Sequence, residues 1–278
     1  MTASAAGLRV SVHDRVATVT LARPERLNAL SRPLIAELTE VVERLAASDD
    51  VRVLVLEGEG RLFSAGADID EIQADALAGS NDDEAVIADA RRGARLCAAL
   101  EDPAIVAIAA VQGHAIGGAA ALIASCDLRV LAGDAKLVVP ELAMGLPLAW
   151  GGIERLARDL GPAVLRDLLL TGRPLTADEA LARGFATAVV ERDALHDHAH
   201  AQATLIASRP GFGTTAALRR VLAVADRRDA AGMDDDAVTL ARAAAQDEAV
   251  AATEAYMASL AKRAPETAPT EGGTDDHS

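Results

Sequence analysis

Ile105-Val-Ala-Ile-Ala-Ala-Val-Gln-Gly-His-Ala-Ile-Gly-Gly-Ala119 is the stretch from which the rest of this chain can be read. Ile105–Val111 is an unbroken apolar run that predicts a buried strand, and Pro103 stops the helix before it. Gly113-His-Ala-Ile-Gly-Gly118 then turns the chain into a short apolar helix ending near Ser125. No formal charge falls between Pro103 and Ser125, but Gln112, Gly113 and His114 interrupt the run, so strand, turn and helix explain it better than a membrane span.

The same order recurs on either side. Upstream, Val51–Leu56 predicts a buried strand, and a loop from Gly58 to Gly66 leads to a helix beginning near Asp68, whose carboxylate suits a first turn. Leu8–Val12 and Val16–Leu21, split by His13-Asp14-Arg15, predict a hairpin. Ser31 and Pro33 open a helix with Leu34, Leu38, Val41, Val42 and Leu45 on its apolar face. Small polar residues at Leu77–Asp83 predict a mobile loop, followed by a helix from about Glu84 to Leu100.

Downstream, Leu128–Leu131 and Leu137–Val139 predict short strands, and Ile153–Leu160, Ala163–Leu170 and Ala177–Arg183 short helices. The last of these opens on the capping box Thr176-Ala-Asp-Glu179 and closes at Gly184. Beyond Val189 the chain reads as helical to about Ala261, with a disordered acidic tail from Pro265. The pattern is that of an α/β protein with largely parallel strands and a helical C-terminal part.

A length of 278 residues suits one large domain, or one with an appended helical piece. Cys97 and Cys126 lie in apolar stretches without CxxC or metal-like spacing, which predicts buried structural thiols and a reducing, cytoplasmic compartment. Met1 to Leu8 lacks the features of a secretory signal, so none is expected. A net charge of −15 without a Lys/Arg cluster argues against nucleic acid. Any anionic ligand has to be met by backbone N–H groups, helix N-termini or a few placed arginines.

Ser64-Ala-Gly-Ala-Asp68 and Gly113-His-Ala-Ile-Gly-Gly-Ala119 each follow a buried strand and precede a helix. Small residues let a ligand approach the main chain, and free N–H groups at a helix start attract developing negative charge, so the two turns could build one anion site. The same spacing equally suits ordinary strand-to-helix turns that pack tightly.

Taken together, Arg23-Pro-Glu-Arg-Leu-Asn-Ala-Leu30, Phe63-Ser-Ala-Gly-Ala-Asp-Ile69, Gly113-His-Ala-Ile-Gly-Gly118, Cys126-Asp127, Pro140-Glu141, Gly145 and Gly151-Gly152 resemble the enoyl-CoA hydratase/isomerase (crotonase) superfamily, in order and in spacing, from about residue 8 to about 260. The resemblance implies a spiral of repeated strand-strand-helix units over residues 1–200, a helical region at 201–262 that assembles trimers or dimers of trimers, and the acidic tail at 263–278. It implies an acyl-CoA thioester as substrate, with coenzyme A belonging to the substrate and no separate cofactor or metal.

Ala67 and Gly118 take the positions of the oxyanion-hole donors in this resemblance and Glu141 that of the catalytic carboxylate. Ala65, Asp68, Ile69 and Asp70 take positions lining the CoA site, and Asn28, Ala29 and Leu30 run along the same ligand. The chemistry fits that assignment. Removing a proton beside a thioester makes an enolate, and each preorganised donor on its oxygen contributes roughly 3–4 kcal/mol. An apolar surround from Val138, Val139, Leu142 and Met144 predicts a raised pKa for Glu141, suited to proton exchange near neutrality.

The sequence departs from the family's hydratases at Ala121, where they carry a second glutamate. A single glutamate at position 141 resembles the isomerases that shift a double bond from the 3 to the 2 position; dienoyl isomerases add an aspartate where Ala149 stands. Asp70 replaces a lysine common in the family, leaving CoA affinity to Arg23, Arg26 or a neighbouring subunit. The expectation is an enoyl-CoA isomerase, beside a hydratase with atypical water activation or a non-catalytic acyl-CoA binder. Gly58-Glu-Gly60 fails as a dinucleotide turn because Phe63 stands at the third glycine position. Alternate residues on a helix point apart, so of His196, His198 and His200 just the first and last share a face, and no metal site is expected there.

Overall fold

Left-handed backbone at Asp14 (φ 47°) and Arg15 (φ 66°) folds β1 (Leu8–His13) back onto β2 (Val16–Leu21), the predicted hairpin. It forms one edge of a sheet in a computed structural model that describes residues 4–71, 83–209, 238, 240–242, 244–245 and 247–263. From β2 onward β3 (Val53–Gly58), β4 (Val106–Val111), β6 (Leu128–Ala132) and β9 (Ala188–Val190) add in parallel, giving the order β1-β2-β3-β4-β6-β9. A second sheet holds β5 (His114–Ile116), β7 (Lys136–Val138) and β8 (Leu175–Thr176).

The repeated unit is visible in how the chain moves between these layers. β2 leads to Leu30 and then α1 (Arg32–Ala46), and β3 leads to residues 64–67 and a helical start at Ile69. β4 leads to β5 and α3 (Gly118–Ala124), after an α2 at Asp83–Leu100. β6 leads to β7, a 3-10 turn at Glu141–Met144 and α4 (Gly152–Leu160). The second-layer segments join side by side, Leu30 with Ala67, Ser64 with Ala115, and β5 with β7, all parallel. This is a spiral of strand, strand and helix. Further described helices are α5 (Pro162–Thr171), α6 (Ala177–Ala182), α7 (Leu195–Ala207) and α8 (Asp247–Arg263).

Alternation along β4 shows why the large sheet is covered on both faces. Ala107, Ala109 and Val111 join a core with Leu54, Leu56 and Ala119 to Ala121 of α3, while Val106, Ile108 and Ala110 join a second with Leu195, Ala199, Ala203 and Ala207 of α7. On α1 the predicted face is buried, with Ile35 added. Ser31 precedes that helix, but its hydroxyl accepts from Arg23 Nη1 at 3.0 Å instead of capping it. At α6 the predicted cap is present, Thr176 Oγ1 accepting from Glu179 N at 3.3 Å.

Three strands escaped the sequence reading. β5 lies inside the predicted turn, and β8 and β9 lie where helices or their ends were expected; at two or three residues none carries a readable period. The boundary at 200/201 falls within α7, whose Ala199, Ala203 and Ala207 share one buried face, so the sheet domain runs on to Ala207. The mobile loop predicted before Asp83, the helical reading of most of 210–237 and the tail beyond 263 lie outside the described residues. Cys97 and Cys126 are both buried, as expected, and no described helix is long and apolar enough to cross a membrane.

Candidate active site

The two glycine-containing turns are stitched together. Ser64 N donates to His114 O at 3.2 Å and Ile116 N to Ser64 O at 3.1 Å, so the first turn lies alongside β5. Gly66 has φ 85° and packs so closely on Ile116 O that a Cβ could not be accommodated; the same Cβ would stand 3.6 Å from Gly118 N. Ala67 is thereby held next to the start of α3. Among the described residues neither Ala67 N nor Gly118 N donates to a protein acceptor, and Gly118 is the first residue of its helix, where no intrahelical partner exists. Ala65, Ala67, Ile69, Ile116 and Gly118 are half-exposed, alternating with buried Ser64, Gly66, Asp68 and Gly117.

Glu141 reaches this floor from the other side. Pro140 and the left-handed Gly145 (φ 70°) bound the 3-10 turn that Glu141 opens. A Cβ at Gly117 would stand 2.6 Å from Glu141 Oε1, inside van der Waals contact, and Gly117 itself has φ 56° and ψ −120°, a backbone that a side chain would strain. Among the described residues Glu141 Oε2 is buried without a hydrogen-bond partner. Burial pushes the carboxyl up to about 7 from 4.5, partly offset by a hydrogen bond from its own backbone N–H. The raised pKa agrees with expectation but part of its expected cause does not. Leu142 is 45% exposed, and it is the bare backbone of Gly117 that packs against the carboxylate.

Position 121 is closed. Ala121 is fully buried, and a Cβ at Gly152 would lie 3.0 Å from its methyl and 2.7 Å from Leu148 Cδ2, so the start of α4 fills the ground where a second carboxylate would extend. Trp150, itself left-handed (φ 62°), slots its indole between Gly93 of α2 and Gly118, and a Cβ at Gly118 would stand 2.7 Å from Cζ3. The indole therefore packs behind Gly118 just ahead of α4.

A family model described as Enoyl-CoA hydratase/isomerase matches residues 11–266. This chain belongs to the enoyl-CoA hydratase/isomerase family. Among its relatives within the family, a "Probable enoyl-CoA hydratase echA8" of Mycobacterium leprae is 37% identical over 212 residues, 76% of this chain and 79% of that one. A mitochondrial Delta(3,5)-Delta(2,4)-dienoyl-CoA isomerase of Mus musculus is 32% identical over 206 residues, 72% of this chain and 63% of that one. The crystal structure of an enoyl-CoA hydratase from Mycobacterium avium subsp. paratuberculosis superposes with a TM-score of 0.80 at 25% identity, over 91% of this chain and 100% of that one.

Several other residues singled out for this enoyl-CoA hydratase/isomerase family member point inward. Asn28 is fully buried and left-handed; its Oδ1 accepts from Arg23 N at 2.9 Å, and its Nδ2 donates to Glu59 O at 2.8 Å and Leu62 O at 3.1 Å. Its side chain therefore braces two loops. Ala29 and Leu30 are buried too, and Leu30 aligns the first turn through its N–H to Gly66 O at 2.8 Å and its carbonyl, which accepts from Asp68 N at 3.3 Å. Asp68 is buried against Arg23 and Arg26, and Arg26 also pairs with exposed Asp70. The two arginines offered for the CoA phosphates are thus already engaged by carboxylates. Gln112, missed in the sequence, donates from Nε2 to Gly58 O at 2.5 Å, so Gln112 and Asn28 consume the carbonyls of the Gly58-Glu-Gly60 loop. Asp127 accepts from Ala107 N at 2.8 Å, tying the turn after α3 to β4. Gly117 and the backing role of Trp150 were also missed, since neither shows until distant segments are packed.

Proposed function

We propose that this protein is an acyl-CoA enzyme that converts 3-enoyl-CoA to 2-enoyl-CoA esters, with Ala67 N–H and Gly118 N–H on the thioester oxygen and Glu141 as sole proton carrier. The observation that carries this reading is the buried, unpartnered Oε2 of Glu141 beside Gly117-Gly118, with position 121 packed shut. The Glu141 carboxylate removes a proton from C2, and the electron pair delocalises into a dienolate whose oxygen the two N–H groups stabilise. The carboxylic acid then returns that proton to C4, and the double bond moves from C3–C4 to C2–C3. Atoms and charge balance without a cofactor. Ala65, Ile69 and the main chain of Asp68 and Asp70 border the CoA arm, beside residues 28–30.

A second reading, a hydratase in which Glu141 alone activates water, draws on the relatives named hydratases. Incubating 3-enoyl- and 2-enoyl-CoA esters of graded length in D2O, with the wild type and Glu141→Gln, separates the readings. Double-bond migration lost in the variant supports isomerisation, and deuterium at C2 or C4 reports how far the carboxyl exchanges its proton with solvent before returning it. Formation of a 3-hydroxyacyl ester without migration transfers the assignment to hydration, and binding without turnover makes the chain an acyl-CoA carrier. Our reading extends to a cytoplasmic homotrimer or dimer of trimers, which light scattering of the purified protein tests.

A further inference from the structure

On the α7 face of the large sheet, away from the core that holds Ala119 to Ala121, a groove of about 730 Å³ opens between β1, β2, β3 and α7. Glu57 projects into it from β3, and His196 and His200 from successive turns of α7, with one donor atom of each within 4.8 Å of the others. We propose that Glu57, His196 and His200 form a binding site for a divalent transition-metal ion of the Zn²⁺ class, joining α7 to the sheet.

The donor set suits that ion, since imidazole nitrogen and carboxylate oxygen are its ordinary ligands and two histidines with one glutamate leave a coordination position open. Helical spacing of four puts both imidazoles on one face, and their ring centroids lie 4.1 Å apart. His196 Nδ1 is 3.0 Å from Glu57 Oε2, near the ~3.3 Å edge of a tetrahedron built on bonds of about 2.0–2.1 Å. Thr20 Oγ1 donates to Glu57 Oε1 at 3.0 Å, orienting the carboxylate as an outer partner of a metal ligand does. The independent observation is His200 Nε2, buried and, among the described residues, without a hydrogen-bond partner. A metal held there would give the His200 ring a partner at the wall of the groove. The sequence excluded a site by counting histidines on one helix; Glu57 comes from a strand 139 residues away.

Calorimetric titration of the untagged full chain with ZnCl2, with melting temperature followed in parallel, tests the site. One equivalent is expected to bind at micromolar concentration and raise the melting temperature by several degrees. Binding should weaken at least tenfold in His196→Ala, His200→Gln and Glu57→Gln, and persist in His198→Ala. Should a variant fold poorly, Co²⁺ added to the wild type supplies a second readout, a tetrahedral visible band that Zn²⁺ displaces. Absence of saturable binding and of that band, or equal loss in His198→Ala, overturns the proposal.

Discussion

Glu141 holds its proton more tightly in the folded chain than in water, because the fold withdraws its carboxylate from solvent without giving Oε2 a partner. A carboxyl raised from 4.5 to about 7 binds more protons folded than unfolded between those values. Stability therefore falls as pH rises through that window, by up to roughly 3 kcal/mol, and stays lower above it. Glu141→Gln removes the charge and keeps the shape. Denaturant titrations should find the variant more stable than the parent at pH 8 and similar to it at pH 4. The same ionisation sets the rate if Glu141 is the base: kcat/KM should rise tenfold per unit below about pH 7 and level above it, and Glu141→Gln should cut turnover by about 10²–10⁴. A plateau extending to pH 5 would remove Glu141 from the proton transfer.

Helices α3 and α4 decide what cannot happen beside that carboxylate. Ala121 is fully buried with its methyl packed against Gly152, so Ala121→Glu forces a charged side chain into a filled, apolar contact. It should destabilise the protein by about 3 kcal/mol or more and create no hydratase activity, measured with 2-enoyl-CoA. Arg155 of α4 donates to Trp150 O at 2.8 Å and to Glu101 Oε2 at 2.5 Å, fixing the left-handed residue whose indole backs Gly118. Arg155→Ala leaves Glu101 with Arg158 alone in that network; a loss of roughly 3–5 kcal/mol in chemical denaturation and a fall in kcat larger than any change in KM are expected. These elements also mark the reach of the sequence. Long apolar runs such as Ile105–Val111 and the α1 face were legible because burial repeats along them, and the Ala67 and Gly118 turns because their small residues sit at fixed places after strands. Glu141's burial was legible in direction, but its source in Gly117, the indole behind Gly118 and the inward turn of Asn28 arise from contacts between distant segments. No local pattern encodes those contacts.

Across the whole molecule, segments far apart in sequence meet at the Glu141 turn. Helix α8 packs on the 3-10 turn that begins at Glu141, and Thr253 Oγ1 donates to Met144 O at 3.2 Å. Among the described residues the two buried cores, by contrast, are built almost wholly from positions before Ser208, including α7 against the sheet. Ending the chain before Asp247 should leave circular dichroism of the sheet domain largely intact while opening the Glu141–Met144 turn to water. Hydration of the carboxylate then relaxes its pKa from about 7 toward the ordinary value, because burial is the largest cause of the shift. The pH–rate profile of the shortened protein should move to lower pH as its plateau falls, since a less basic carboxylate removes a C2 proton more slowly. A profile that keeps its midpoint near pH 7 would mean that the Gly117 contact alone keeps Glu141 dry, with α8 supporting the turn and not shielding the charge.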